Sequence, residues 1–493
     1  MRRLSGTDSL FLAGETPTWH QHVGGLTIVD RTNVPGFGYD ALYRMIASRL
    51  PLVPKLTWKL KPVPLGLDRA VWIDDPAFDL RRHIHRMTVT APGGPRETAD
   101  AVTPIMSRQL DRRFPLWELW YLDGLVNGRV AVLMKFHHCL LDGGAGGVLA
   151  SLLLDLDPDG TPTVIPEMPA PEAEPSDLRL FVAALLPAAT APLRAMRYGV
   201  RLTWRGLGVA RHLISGHESP DMATMLRAPK TSFNASIGPR RSMAFSSIAI
   251  ADVKALRRHF DVKLNDVALA LCAGALRTYL SDRDGVPSRP LSVGIPVSTR
   301  AEGDTSLGNQ LSYLVVPLPT NLADPEERLR VIVHETRAAK GVHEAMRASR
   351  LGSVADTAPP FMIAGLLRLA YQSHVLGYIP GMMNTIVSNV PGPPVDLYMA
   401  GARLTGIYSA SVLLDQMGLN VTLYTFGDRV DFGIHVDPDL IDDPWAIAHA
   451  IPRALEELMR TAGLGTPSPI EDPFGLTPGP DVELTARRSG VGS

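Results

Sequence analysis

Two adjacent imidazoles close an apolar run and are followed within a few residues by an acid and two glycines, in FHHCLLDGGAG from Phe136 to Gly146. An imidazole titrates near pH 6.5 in its ordinary state, so a histidine in a cavity can accept the proton of a hydroxyl as that hydroxyl attacks an acyl carbonyl. Such a transfer needs no covalent enzyme intermediate, and no Gly-x-Ser-x-Gly elbow offers a nucleophile for one. Adjacent strand residues point to opposite faces, so His137 and His138 cannot both reach one small ligand unless the strand ends between them. A metal site is not expected, because zinc favours His-x-His or helical spacing with further ligands nearby. One imidazole should therefore face a cavity while the other is held in the core, although two satisfied core histidines fit the residues equally well. Cys139 should be an inert packed thiol that points away from His138. Asp142 is too near in sequence to be assumed the partner of either imidazole. A buried carboxylate needs a cation, and the chain offers Arg300 at the end of GIPVSTR. Gly143 and Gly144 permit close backbone approach by a substrate or a neighbouring strand.

The elements that must carry these residues are legible in outline. In GRVAVLMKFHH the run from Val130 to Phe136 is apolar on both alternations except at Lys135, which predicts a strand inside a sheet. The Pro-rich and acidic DLDPDGTPTVIPEMPAPEAEP reads as a linker. The stretch after it looks helical but should be broken by Pro187 and Pro192. A second unit begins near Asn234 with the strand RSMAFSSIAI. KLNDVALALCAGALRTYL is a buried helix entered at Asn265 or Asp266, LSVGIPVSTR and LSYLVVPLPT are strands, and NVTLYTFGDRVDFGIHVD is a hairpin about Gly427-Asp428. The expected organisation is an N-terminal half at 1–155, a linker and helical connection at 156–233, a C-terminal half at 234–463 and a disordered tail at 464–493.

Bulk properties narrow the function. Lys+Arg 49 against Asp+Glu 50 leaves a net charge of -1 over 493 residues, so no global field draws the chain to nucleic acid. Cys139 and Cys272 are the only cysteines, too few for a disulfide framework or a Cys-rich zinc site, and a reducing, cytoplasmic compartment is the expectation. The N-terminus lacks a cleavable secretory pattern, and no span of ~20 uncharged apolar residues occurs. Surface attachment stays open. On a helix, Arg194, Arg197, Arg201 and Arg205 fall on one side, which suits anionic lipid headgroups or an ordinary solvated face. For the apolar PPFMIAGLLRLAYQSHVLGYIPGMM, buried packing is the default reading.

The string FHHCLLDG matches His-His-x-x-x-Asp-Gly, the signature of the coenzyme A-dependent acyltransferase superfamily that includes chloramphenicol acetyltransferase and peptide-synthetase condensation domains. LSGTDSLFL with Trp19, PLWELWYLDGL, LNDVALALCAGALR, PVSTR and SNVPGPP occur in the same chain. In that order they resemble the bacterial wax ester synthase/diacylglycerol acyltransferase family over almost the full length. The resemblance implies an α/β fold of two chloramphenicol acetyltransferase-like halves, each a mixed sheet with helices, meeting at a substrate tunnel. It implies transfer of a long-chain acyl group from acyl-coenzyme A, a co-substrate with no bound cofactor or metal, to the hydroxyl of diacylglycerol or a fatty alcohol. His138 would be the general base and His137 its support. Asp142 would be structural and paired with Arg300, and Gly143 would leave room for the thioester. Asn265 and Asp266 match an Asn-Asp pair of the family, and Ser388 and Asn389 open a segment that would line the channel. Cap and turn roles are the plain alternatives for Asn265, Ser388 and Asn389, and Trp117 is a core or channel-wall aromatic. The implied partners are acyl-coenzyme A, a lipid alcohol and a peripheral membrane or lipid-droplet surface. Rival functions are another acyl transfer or condensation on the same fold, and a non-catalytic lipid-binding relative.

Overall fold

The computed structural model describes residues 2–140, 153–160, 165–190, 193, 196, 228–298, 311–348 and 383–476. The first part of the chain forms β1 (Arg2–Arg3), β2 (His22–Asp30), β3 (Trp58–Lys61), β4 (Val71–Asp74), β5 (Ile84–Thr88), β6 (Trp117–Asp123) and β7 (Val130–His137). Its labelled helices are α1 (Gly6–Gly14), α2 (Tyr39–Arg49) and α3 (Pro95–Met106). Later strands are β8 (Ser242–Ala249), β9 (Leu291–Ser298), β10 (Leu311–Leu318), β11 (Thr385–Pro391), β12 (Tyr398–Met399), β13 (Ala402–Ala410), β14 (Leu419–Phe426) and β15 (Arg429–Val436). With them come α4 (Ile250–Phe260), α5 (Leu264–Ser281), α6 (Pro325–Ala348) and α7 (Pro444–Thr461).

The strands make two mixed six-stranded sheets, ordered β12-β13-β2-β7-β6-β5 and β10-β9-β11-β14-β15-β8, and a small β1-β4-β3 sheet. This is the α/β architecture expected from the sequence, and the hairpin about Gly427-Asp428 joins β14 to β15. The described residues include no helix long and apolar enough to cross a membrane.

Strand β7 sits between β2 and β6 and is covered on both sides. Ala131 and Leu133 enter one core, while Val132 and Met134 enter another, as the continuous apolar run requires. Lys135 interrupts that run without reaching solvent. Its ammonium donates to the carbonyl of Ile105 at 2.7 Å and to that of Arg108, at and just beyond the C-terminal end of α3. Burial pulls its pKa down to about 8.

Two local expectations are corrected. The buried helix α5 is entered from Lys263, not from Asn265 or Asp266. Asp266 lies in the third helical position, where its carboxylate accepts the Lys263 N–H at 3.0 Å and the Thr336 hydroxyl of α6 at 3.0 Å. The helical stretch 177–190 also runs through Pro187. Proline cannot donate to the carbonyl four residues back, and the guanidinium of Arg3 donates to that Ala183 oxygen instead, at 3.4 Å. Pro192 lies outside the described residues.

The two sheets are tied together because β12 and β13, late in the chain, join the first sheet beside β2. Here β15 lies directly against β13: a Cβ on Gly433 would collide with the Ser409 carbonyl oxygen. Next to a bulge between Leu404 and Gly406, the buried Asp431 accepts the Ile407 N–H at 2.7 Å, the Ser247 hydroxyl at 2.6 Å and Arg429 Nε at 3.0 Å. Burial pushes the Asp431 carboxyl up despite the Arg429 guanidinium beside it.

Candidate active site

Strand β7 ends at His137, so the two imidazoles diverge at a strand end. The turn is closed by His138 N–H donating to Gln21 O at 2.7 Å and Leu140 N–H donating to His137 O at 2.9 Å. His137 is fully buried, whereas His138 lines a cavity of about 280 Å³. The His138 ring stacks on Phe11 of α1, with centroids 4.1 Å apart and planes within 10°.

The orientation of His137 is set from two sides. Cys139 N–H donates to His137 Nδ1 at 3.1 Å, so that nitrogen carries the lone pair and the proton sits on Nε2. Nε2 faces Glu15 Oε1 at 3.7 Å, too long for a hydrogen bond but close enough for electrostatic attraction. The other Glu15 oxygen accepts Arg112 Nη2 at 2.6 Å and Nε at 3.1 Å. Burial alone would raise the Glu15 carboxyl, yet His137 and the Arg112 guanidinium outweigh it and hold the pKa at about 2. Cys139 is buried beside this turn, and desolvation raises its thiol well above the usual range, which makes it the inert thiol expected.

The cavity lies between the sheets. Val23, Gly25, Met134, Phe136 and Ile407 supply much of the first sheet's wall, and Ile386, Ser388, Val390, Asn420, Thr422 and Tyr424 face them from β11 and β14. The walls are mostly apolar, with scattered hydroxyls. The Asn420 side chain is committed to the protein, donating to Val412 O at 3.2 Å and accepting the Thr422 hydroxyl at 3.0 Å. Such a space suits a hydrocarbon chain with a polar reacting group at one end.

Of the site residues expected from the sequence, His138 and Ser388 share this cavity. Asn265 and Asn389 are not among its lining residues; Asn265 is in the first turn of α5, and Asn389 follows Ser388 on β11 and so points to the other face. Trp117 is a core residue whose indole donates to Leu56 O at 2.7 Å. Asp142, Gly143, Arg300 and the arginines 194, 197, 201 and 205 lie outside the described residues. Glu15, Arg112 and Phe11 were not anticipated. A signal for Glu15 existed: it is the only acid between Asp8 and Asp30.

Comparison with known proteins finds relatives along most of the chain. Residues 4–268 match the wax ester synthase/diacylglycerol acyltransferase catalytic domain, and residues 307–459 match the C-terminal domain of the same group. Two Mycobacterium tuberculosis proteins, candidate diacylglycerol O-acyltransferases by name, are each 33% identical to the chain. One alignment covers 93% of this chain and 90% of the relative, the other 94% and 97%. The wax ester synthase/diacylglycerol acyltransferase of Marinobacter aquaeolei VT8 superposes with a TM-score of 0.67 at 27% identity, over 94% of this chain and 100% of that one. A starter condensation domain of rhizomide synthetase, solved with C8-CoA and Leu-SNAC, shares the fold at a TM-score of 0.51 and 15% identity, over 94% of this chain and 95% of its own. Two domain matches in chain order, full-length relatives and a two-sheet cavity walled by the second motif histidine lead to one conclusion: the chain belongs to the wax ester synthase/diacylglycerol acyltransferase family.

Proposed function

We propose that this acyltransferase-family chain moves a long-chain acyl group from acyl-coenzyme A to the hydroxyl of diacylglycerol, and also to fatty alcohols, with His138 as general base. The observation that carries the reading is His138 on the wall of a mostly apolar cavity while His137 is buried behind it with its tautomer set. The acceptor hydroxyl gives its proton to His138 as its oxygen bonds to the thioester carbonyl carbon. The tetrahedral adduct then breaks its carbon–sulfur bond, and the departing thiolate takes the proton back from the imidazolium. His137 keeps the turn in place, Ser388 lines the acceptor's path, and Asp142 pairs with Arg300 to shape the bend before Gly143. Asn265 and Asn389 would act only through the elements that bear them. Residues 1–155 and 234–463 supply the two acyltransferase halves, with β12 and β13 crossing into the first sheet, and 156–233 connect them; 464–476 are not the disordered tail expected, since Glu471 pairs with Arg129 and Arg403 and Phe474 is buried against Phe245. The C8-CoA held by the condensation-domain neighbour supports coenzyme A thioesters as donors.

A lipid surface is the partner that fits the stretch 177–190. Leu180 packs on Val71 and Ile73, while Leu178, Val182, Leu185 and Leu186 stand exposed on one helical face, Leu178 at 73% and Leu186 at 72%. Such a contact would bring a cytoplasmic enzyme beside the water-insoluble acceptor it consumes.

Purified protein given labelled long-chain acyl-coenzyme A and a panel of diacylglycerol, fatty alcohol and amine acceptors tests the reading. Ester formation that drops at least ~10²-fold in a folded His138→Ala variant is expected. Amide products would point to condensation, and acyl-chain binding without turnover would point to a lipid-binding relative. Near-normal turnover in His138→Ala would remove the assignment of the base.

A further inference from the structure

Glycine inside a strand forgoes side-chain packing and adds backbone entropy to the unfolded chain, so each one calls for a local reason. Among the described strands five positions are glycine, and four have such a reason. A Cβ at Gly24 would meet Met106 Sδ at 2.9 Å, one at Gly406 the Tyr408 ring at 3.0 Å, one at Gly294 the Met383 sulfur, and one at Gly433 the Ser409 carbonyl. Gly25 differs: a Cβ there would meet nothing within 4 Å. Its φ lies outside the left-handed region, so backbone conformation does not demand glycine either.

The empty space over Gly25 is the cavity of His138. Gly25 pairs with Met134 on β7 and with Ser409 on β13, and all three line that cavity. The pair Gly25–Met134 lies three residues from the pair His22–His137, about 10 Å along the strands at about 3.3 Å per residue. Apolar Val23 and Phe136 line the path between.

We propose that Gly25 is a specificity-determining residue: its missing side chain leaves room for the hydrocarbon chain of a lipid substrate to cross β2, and residue size at this position sets the longest chain accepted. The proposal rests on the acyl-transfer reading of the cavity and adds to it the residue that gauges chain length. The chain is that of the acyl donor or that of the alcohol, and the two sources are separable by experiment.

Wild type, Gly25→Ala, Gly25→Val and Gly25→Phe would be assayed in three arms: saturated acyl-coenzyme A thioesters of increasing length with one alcohol, alcohols of increasing length with one donor, and equilibrium binding of fluorescent fatty acids of increasing length. Valine and phenylalanine suit strands better than glycine, so melting temperatures should hold or rise. In whichever transfer arm supplies the chain, kcat/KM for long substrates should fall at least about tenfold relative to short ones in Gly25→Val, further in Gly25→Phe, mainly through KM. Long fatty acids should lose affinity in parallel. Unchanged length profiles in Gly25→Phe, or an equal loss at every length in both transfer arms, would overturn the proposal while leaving acyl transfer intact. Absent turnover in wild type with length-selective loss of fatty-acid binding in the variants would sink the acyl-transfer reading and sustain the role of Gly25. Absence of both turnover and binding would sink the two together.

Discussion

Replacing Glu15 with Gln keeps the shape of the side chain and removes one charge from a carboxylate that is only 2% exposed. With its pKa at about 2 instead of the ordinary 4.5, the folded chain favours the ionised form by about 3 kcal/mol, at about 1.4 kcal/mol per pH unit. Desolvation opposes ionisation; His137 and Arg112 together overcome it. Because the folded value lies below the unfolded one, this stabilisation is complete above about pH 4.5 and drains as pH falls toward 2. Arg112 is 45% exposed and stays hydrated after the change, so no orphaned charge adds to the loss. The Gln variant should therefore be about 3 kcal/mol less stable at pH 7, and the gap should narrow by about 1 kcal/mol over the first pH unit below about 4.5. Urea unfolding of both proteins from pH 7 down to pH 3.5 measures it. Turnover should fall as well, with little change in KM, since the His137 Nε2–H loses the anionic oxygen it faces. A stability gap that stays constant over this range, or a variant as stable as wild type at pH 7, would refute the reasoning that Glu15 is an ionised anchor of the histidine turn.

Three further outcomes are expected. His137→Ala should lower both stability and acyl transfer, in contrast to His138→Ala, and a His137 variant that melts normally yet is inactive would reverse the two roles. Asp431→Ala leaves Arg429 buried without its carboxylate and frees the Ile407 N–H, so a loss of about 3–5 kcal/mol in chemical denaturation is expected; a loss below about 1 kcal/mol would mean that β13 is held by other contacts. Exchanging Leu178, Val182 and Leu186 for Ser should abolish sedimentation with lipid vesicles while sparing transfer between short, soluble substrates, and unchanged sedimentation would exclude this face as the lipid contact.

What the sequence determined by itself is what near neighbours decide. The strand Val130–Phe136 follows from an unbroken apolar run, the hairpin from Gly427-Asp428 between alternating segments, and the buried α5 from apolar residues on every face. The ordered motifs named the family because their residue types and order survive without coordinates. Capping was misread because Asp266 is as good an acceptor three positions into a helix as at its start, and the choice depends on which N–H lies free. The continuity of the helix through Pro187 was hidden for a similar reason: the spare carbonyl of Ala183 is met by Arg3, 180 residues away.

Only the tertiary structure decided the environment of the site. Glu15 reaches His137 because α1 packs beside the end of β7, a contact across more than a hundred residues that no local pattern encodes. β13 joins the first sheet through pairing with β2, although the chain around it builds the second. Gly25 reads in sequence as a flaw in a strand, and it becomes an opening only when Met134 and Ser409 flank it and nothing stands above. Periodicity tells which side of a strand a residue takes, whereas what occupies the far side of a cavity depends on the packing of elements remote in the chain.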